Sequence, residues 1–237
     1  MLRPVTAQGY DCGCMKTGHL AAAYPADRAA GLAGIPPSTL HYWSRSGIWT
    51  PSVSQTRVKL WSYADLLGLR LIDWLRREKP DLEIPRTSMH KIRRALTSLE
   101  SFGERLEARS LRVSVDRRGG ILLGLDDGVF VPLGGGFAQG LIGTAVDLLD
   151  VFDSSSGIRA PNLIAPRPTL RIVPGKLSGE PHVLDTRIPT NIVAAMAARG
   201  FGTPEIVRLY PALSSRNVAE AIDLESQLRA VLHPVAA

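Results

Sequence analysis

The sequence predicts a mainly α-helical fold with a small antiparallel β region, an α+β class, and three observations carry that expectation. Two short helical stretches around Gly34 lead through an extended hairpin into a longer amphipathic stretch, Ser62 to Arg77. Between Leu111 and Leu133 apolar and polar residues alternate around Gly-containing turns, the period-two signature of strands. Three further helices are marked by starts at Pro189, Thr203-Pro204 and Ser214, residue types that favour a helix N-terminus.

At 237 residues, with 45% hydrophobic and 21% charged residues, the chain has ordinary globular composition and length for a sizeable core. Its formal net charge is +6, unevenly spread: His41 to Arg118 carries 16 Lys/Arg against 9 Asp/Glu, and the remainder 12 against 13. A positive field on one half draws polyanions and makes their binding salt-sensitive. No run of 18 apolar residues and no leader pattern occurs, so the expectation is a cytoplasmic protein that does not enter a membrane. The two cysteines, Cys12 and Cys14, suit a reducing compartment; with His19 they still lack the second pair that a structural zinc site needs, so no metal is expected.

Residues 1–23 mix Gly, Ala and polar residues without periodicity and read as a flexible tail. Residues 24–80 form the first unit. A small-residue helix runs from Ala26 to Leu32, Gly34 takes a sharp turn, and Pro36-Pro37 starts a second helix that Gly47 ends. Leu40 and Trp43, three apart, face the core and turn Ser38, Thr39, His41, Tyr42 and Arg45 outward. Hydroxyls near the helix start meet phosphate, His41 and Tyr42 donate hydrogen bonds, and Arg45 clamps phosphate or guanine. After Trp49 a hairpin presents Gln55, Thr56, Arg57 and Lys59 near its tip. This is the pattern of a winged helix-turn-helix that reads double-stranded DNA.

The stretch resembles the DNA-binding domain of the MerR family. The resemblance rests on Pro36-Pro37-Ser38-Thr39-Leu40-His41-Tyr42-Trp43, on Gly47-Ile48-Trp49, and on Lys59-Leu60-Trp61-Ser62-Tyr63-Ala64-Asp65-Leu66, with the spacing through the wing kept. His41 stands where the family usually has Arg, and Arg57-Val58 where it usually has Gly-Tyr, which bears on base preference. The family implies a dimer, and residues 81–153, a helix plus a β meander, are the possible dimerisation region. The helix is read from Thr87 to Arg109, with Met89, Ile92, Leu96, Leu99, Phe102 and Leu106 inward and Arg86, Lys91, Arg93 and Arg94 forming a basic face. Turns at Arg118-Gly119-Gly120 and Asp126-Asp127-Gly128 define the meander. Gly134 to Gly140 lacks the Gly-Lys-Ser/Thr ending of a phosphate loop and reads as a connector. Leu141 to Phe152 leans to strand in its first half.

Residues 154–170, with Ser154-Ser155-Ser156-Gly157 and three prolines, read as a linker, and residues 171–237 as a three-helix, HTH-like domain. This last unit resembles a small bacterial domain found in VapB-type antitoxins, which are encoded beside PIN-like (VapC-type) toxins. The matching residues are Gly179, Pro181, Val183, Thr186-Arg187-Ile188-Pro189, Gly200-Phe201-Gly202, Glu205-Ile206, Tyr210-Pro211-Ala212-Leu213 and Val218-Ala219-Glu220-Ala221; Asp185 stands where the family has Gly. The resemblance implies an antitoxin that neutralises a PIN-like ribonuclease and binds operator DNA to autoregulate its operon. PIN-like toxins have acidic centres, which makes Arg187, Arg208, Arg216 and Arg229 candidate toxin contacts. The alternative is a MerR-like, small-molecule-responsive regulator without a toxin. Five scattered histidines, no His-x-x-x-His and no nucleophile–base pair argue against an enzyme, and no cofactor is expected.

Overall fold

The computed structural model describes residues 22–79, 86–101, 112–116, 120–124, 130–133 and 142–232. Cys12, Cys14, His19, Phe102, Leu106, the turn at Asp126–Gly128 and the stretch Gly134–Gly140 lie outside the described residues. The fold is the expected α+β class: a winged helix-turn-helix, an antiparallel sheet and a C-terminal group of three helices.

The winged unit contains β1 (Tyr24–Pro25), α1 (Ala26–Ala33), α2 (Pro37–Arg45), β2 (Leu60–Trp61) and α3 (Tyr63–Arg76). Gly34 at φ 74° and Gly47 at φ 65° take the left-handed conformation that closes α1 and α2, which only glycine adopts cheaply. Leu40 and Trp43 are buried, as their spacing requires. Strand β1 pairs antiparallel with β2, Tyr24 opposite Trp61, which ties the chain entering α1 to the chain entering α3. Ser62 caps α3 by accepting from the Asp65 amide at 3.1 Å, and Asp65 accepts back from the Ser62 amide at 2.7 Å.

Helix α3 departs from the amphipathic expectation. Every residue from Asp65 to Leu75 is buried, Arg70 and Asp73 included. The polar side expected to face water is instead covered by the chain between Leu148 and Leu163. The Arg70 guanidinium is fully buried and donates to the carbonyls of Leu32, Leu148, Asp150 and Pro161 at 2.6–2.9 Å. Leu32 lies in the last turn of α1, whose carbonyls have no partner within their own helix, so Arg70 also completes that helix end. Burial brings the Arg70 pKa down to about 9, which leaves it charged at neutral pH. Asp73 accepts from the amide and hydroxyl of Ser155.

Helix α4 (Met89–Ser101) buries Ile92, Ala95 and Leu96. Strands β3 (Arg112–Asp116), β4 (Ile121–Gly124), β5 (Phe130–Leu133) and β6 (Ile142–Asp147) form one antiparallel sheet in the order β5-β4-β3-β6. The meander continues with β6 returning to the free side of β3, where Val113 pairs Val146. In β3 Val113, Ser114, Val115 and Asp116 are all buried. Successive strand residues point to opposite faces, so this strand is covered on both.

The segment read as a linker is packed. Its hairpin β7 (Phe152–Asp153) and β8 (Arg159–Ala160) leads to Pro161, Leu163 and Leu170, all buried, and Tyr63 donates its hydroxyl to the Leu163 carbonyl at 3.0 Å. Strand β9 (Leu170–Arg171) then pairs β10 (His182–Val183). Helices α5 (Thr190–Ala198), α6 (Thr203–Leu209) and α7 (Ser215–Ala230) close the chain. Ser214 caps α7 as expected, accepting from the Asn217 amide at 3.2 Å. Helix α6 differs: its N-cap is Gly202, whose amide donates to Glu205 at 2.8 Å, and Thr203 is already helical.

One core runs through both units. Helix α7 crosses α1 so closely that a Cβ on Gly31 would stand 3.2 Å from Leu228. Tyr24 donates to the Gly179 carbonyl at 2.8 Å, and Arg28 forks between Glu180 at 2.8 Å and Glu225 at 2.7 Å. Gly179, at φ 81°, leaves room for the Tyr24 hydroxyl, which a Cβ there would meet at 2.3 Å. Thr190 at the start of α5 donates its hydroxyl to Glu225.

Candidate nucleic-acid interface

The candidate interface begins with α2. Proline at its first helical position costs no hydrogen bond, so the amides of the first turn face outward unblocked. Leu40, Trp43 and Ser44 are buried, while Ser38, His41, Tyr42 and Arg45 are exposed, Tyr42 at 55%. Thr39 is half-buried at the edge of this face. Five of the expected reading residues thus share one helix, four of them fully presented.

The wing is held against this helix by named contacts. Ser54 and Leu60 form an antiparallel bridge, and the Ser54 hydroxyl donates to the Val58 carbonyl at 2.8 Å, closing the tip. Gln55, Thr56 and Arg57 are exposed there. Lys59, expected as an anchor beside them, is half-buried and donates its ammonium to the Ser44 hydroxyl at 2.7 Å. Ser44 lies in the last turn of α2, so Lys59 fixes the wing beside the C-terminal half of that helix. At the base of the wing Asp65 accepts from the Ser52 amide at 2.9 Å and its hydroxyl at 2.8 Å. Burial raises the Asp65 pKa, against the pull of those hydrogen bonds. One carboxylate thereby caps α3 and anchors the wing.

A third element reaches the same place. Arg93 of α4 donates to the Gly47 carbonyl at 3.4 Å, at the turn that ends α2, and Arg86, Arg93 and Arg94 are exposed. The basic face read on α4 therefore adjoins α2. A polar helix face flanked by a basic hairpin tip and a basic helix suits a phosphate backbone on both sides of a groove.

In the C-terminal group Arg187, Arg208 and Arg229 are exposed. Arg216 is engaged differently: its guanidinium meets Glu220 at 2.8 Å one helical turn away. Sequence reasoning missed Arg28 and Arg70 altogether. The one available signal for Arg28 was Glu225, an acid among the apolar positions of α7; nothing in sequence pointed to the carbonyls around Arg70.

Among the described residues no three His, Cys, Asp or Glu side chains gather as a metal site, and no helix is long and apolar enough to cross a membrane. Residues 171–223 match the family described as a protein of unknown function, DUF433. The match spans all of the positions from Gly179 to Ala221 on which the antitoxin resemblance rests. No curated protein matches the chain. Among solved structures, the X-ray crystal structure of Rv2018 from Mycobacterium tuberculosis is similar at 14% identity and a TM-score of 0.42, over 84% of this chain and 96% of that one.

Proposed function

We propose that the chain is the antitoxin of a VapBC-type toxin–antitoxin pair. It binds and neutralises a PIN-like ribonuclease in the cytoplasm and, as a homodimer, binds operator double-stranded DNA to autoregulate its operon. It is neither an enzyme nor a cofactor carrier in this reading. The DNA half is carried by one observation: Ser38, His41, Tyr42 and Arg45 stand exposed on α2, opposite buried Leu40 and Trp43, with Arg57 and Arg93 flanking them. The toxin half is supported by the Thr186-Arg187-Ile188-Pro189 to Ala221 resemblance.

The test is binding to the operator duplex as a function of salt, alongside neutralisation of the neighbouring gene's product. Arg45→Ala is expected to weaken operator binding about tenfold and, if its contact is to phosphate, to lower the salt slope by about one. Neutralisation stays unchanged. Equal loss of both activities would mean that Arg45 is structural; tight operator binding with no neutralisation by the wild type would favour the small-molecule-responsive regulator.

A further inference from the structure

By count the C-terminal group is almost neutral, with seven Lys/Arg and six Asp/Glu from Arg171 to Leu232. What is available at the surface is different. Glu180 and Glu225 share Arg28, Glu220 pairs with Arg216 and accepts from Thr169, and Asp223 pairs with Arg167, while exposed Glu205 accepts from the Gly202 amide and keeps its charge. Among the described residues Asp185 alone of these acids has no side-chain partner. The side chains of Arg187, Arg199, Arg208 and Arg229, all exposed, make no ion pair or hydrogen bond among the described residues. The free charge is therefore cationic, although the composition is not.

Arg187 and Arg199 flank α5, each within a few residues of an exposed apolar side chain, as Arg208 is of Leu209 on α6. Helix α5 buries Val193 and Ala194, and Ile192 and Arg199, two turns apart, stand on its opposite side with Ile192 44% exposed. Before α5, the turn carrying Leu184 and Arg187 is rigid. Thr186 donates its amide and hydroxyl to the Val183 carbonyl and accepts from the Ile188 amide, with Asp185 left-handed at φ 58°. After α5, Gly200 at φ 93° turns the chain so that the Phe201 amide reaches the Met196 carbonyl at 3.2 Å while its ring stays 42% exposed.

We infer that the outer face of α5 with its two flanking turns, namely Leu184, Arg187, Ile192, Arg199 and Phe201, is the docking surface for a protein partner that presents carboxylates beside apolar side chains. The inference rests on the antitoxin reading and narrows it. Arg208 belongs to α6 and Arg229 to α7, and Arg216 is already paired with Glu220. Nucleic acid fits less well, since a phosphate backbone answers the arginines but gives Leu184, Ile192 and Phe201 nothing to bury against. A partner with both groups uses the whole face, its carboxylates pairing with planar guanidinium forks that carry no competing intramolecular bond.

The experiment titrates the full chain with the protein encoded by the adjacent reading frame, and separately with the operator duplex. Arg187→Glu/Arg199→Glu is expected to weaken the protein complex about a hundredfold and Ile192→Asp about tenfold or more. Arg229→Glu, half that charge change and on α7, changes it less than threefold, and operator binding stays within threefold throughout. Thermal unfolding checks that the variants fold, and Arg187→Gln/Arg199→Gln provides a milder second pair expected to lose at least tenfold. Wild-type failure to bind the neighbouring protein overturns the antitoxin reading and this surface with it. Wild-type binding that the face variants leave intact overturns the surface alone. A loss confined to operator DNA assigns the face to nucleic acid, and a loss as large in Arg229→Glu shows a diffuse field in place of a docking site.

Discussion

Two arginines, Arg70 buried and Arg28 half-buried, hold this molecule together in opposite ways. Where α1 meets α7, Arg28 is held by carboxylates, Glu180 and Glu225, and burial of its site raises the Glu180 pKa. Beneath α3, Arg70 meets only carbonyl oxygens, with its guanidinium 5.4 Å above the Phe152 ring. The first arrangement neutralises a charge with charges that must themselves be desolvated. The second spreads it over four backbone dipoles contributed by three separate segments. Carboxylates can be replaced one at a time and titrated; a ring of carbonyls can be neither, so below the lowered Arg70 pKa of about 9 it fixes backbone in place whatever the acidity.

Four substitutions break or sharpen this contrast. The largest effect is expected for Arg70→Met, which takes the Arg70 donors from three buried carbonyls and one part-buried one; about 4 kcal/mol is lost, comparable to breaking a buried ion pair. At roughly 3 °C per kcal/mol for a chain of this size, the thermal midpoint falls by about 12 °C. Glu225→Gln comes next at about 3 kcal/mol, since Arg28 keeps Glu180 but loses its most buried partner. A midpoint shift larger than that of Arg70→Met would reverse the ranking and make the α1–α7 joint the stronger tie. Tyr24→Phe, which deletes one hydrogen bond to Gly179, costs about 1 kcal/mol by chemical denaturation.

The smallest effect is a pH dependence. The folded-state pKa of Glu180 lies above its unfolded value, so its contribution to stability is fully present below the ordinary carboxylate range and is lost as pH rises through the raised value. Glu180→Gln should flatten stability against pH in that window, and Arg70→Met should leave the slope there unchanged. An identical slope in wild type and Glu180→Gln would show that another group titrates.

Much of the fold was legible because it is local. The Leu40–Trp43 spacing, Gly34, the Ser62 cap, the Pro37 start and the alternation around Val113 each act within a turn or a strand. The candidate reading residues on α2 were legible for the same reason, since burying Leu40 and Trp43 dictates which side of one helix remains. Lys59 was only half legible: its place near the wing follows from spacing, but its bond to Ser44 depends on how the hairpin folds back. The apparent linker was not legible, because Ser, Gly and Pro make turns whether those turns lie in water or on α3. Arg28 and Arg70 were not legible either; their partners lie between 38 and 197 residues away. Asp185 stands between these cases. Its departure from the family glycine pointed to a special turn, and its φ of 58° is the left-handed value that glycine would take without strain.

The contact of Gly31 with Leu228 has a consequence for how the protein is made. Helix α1 emerges from the ribosome almost two hundred residues before the helix that covers it. At synthesis rates of about 5–20 residues per second, that interval lasts some ten seconds or longer. During it the alanine-rich side of α1 and the Arg28 side chain lack their covering helix, and the closure that ends the wait spans nearly the whole chain. The winged unit is therefore completed only once α7 arrives, although it is translated before that helix.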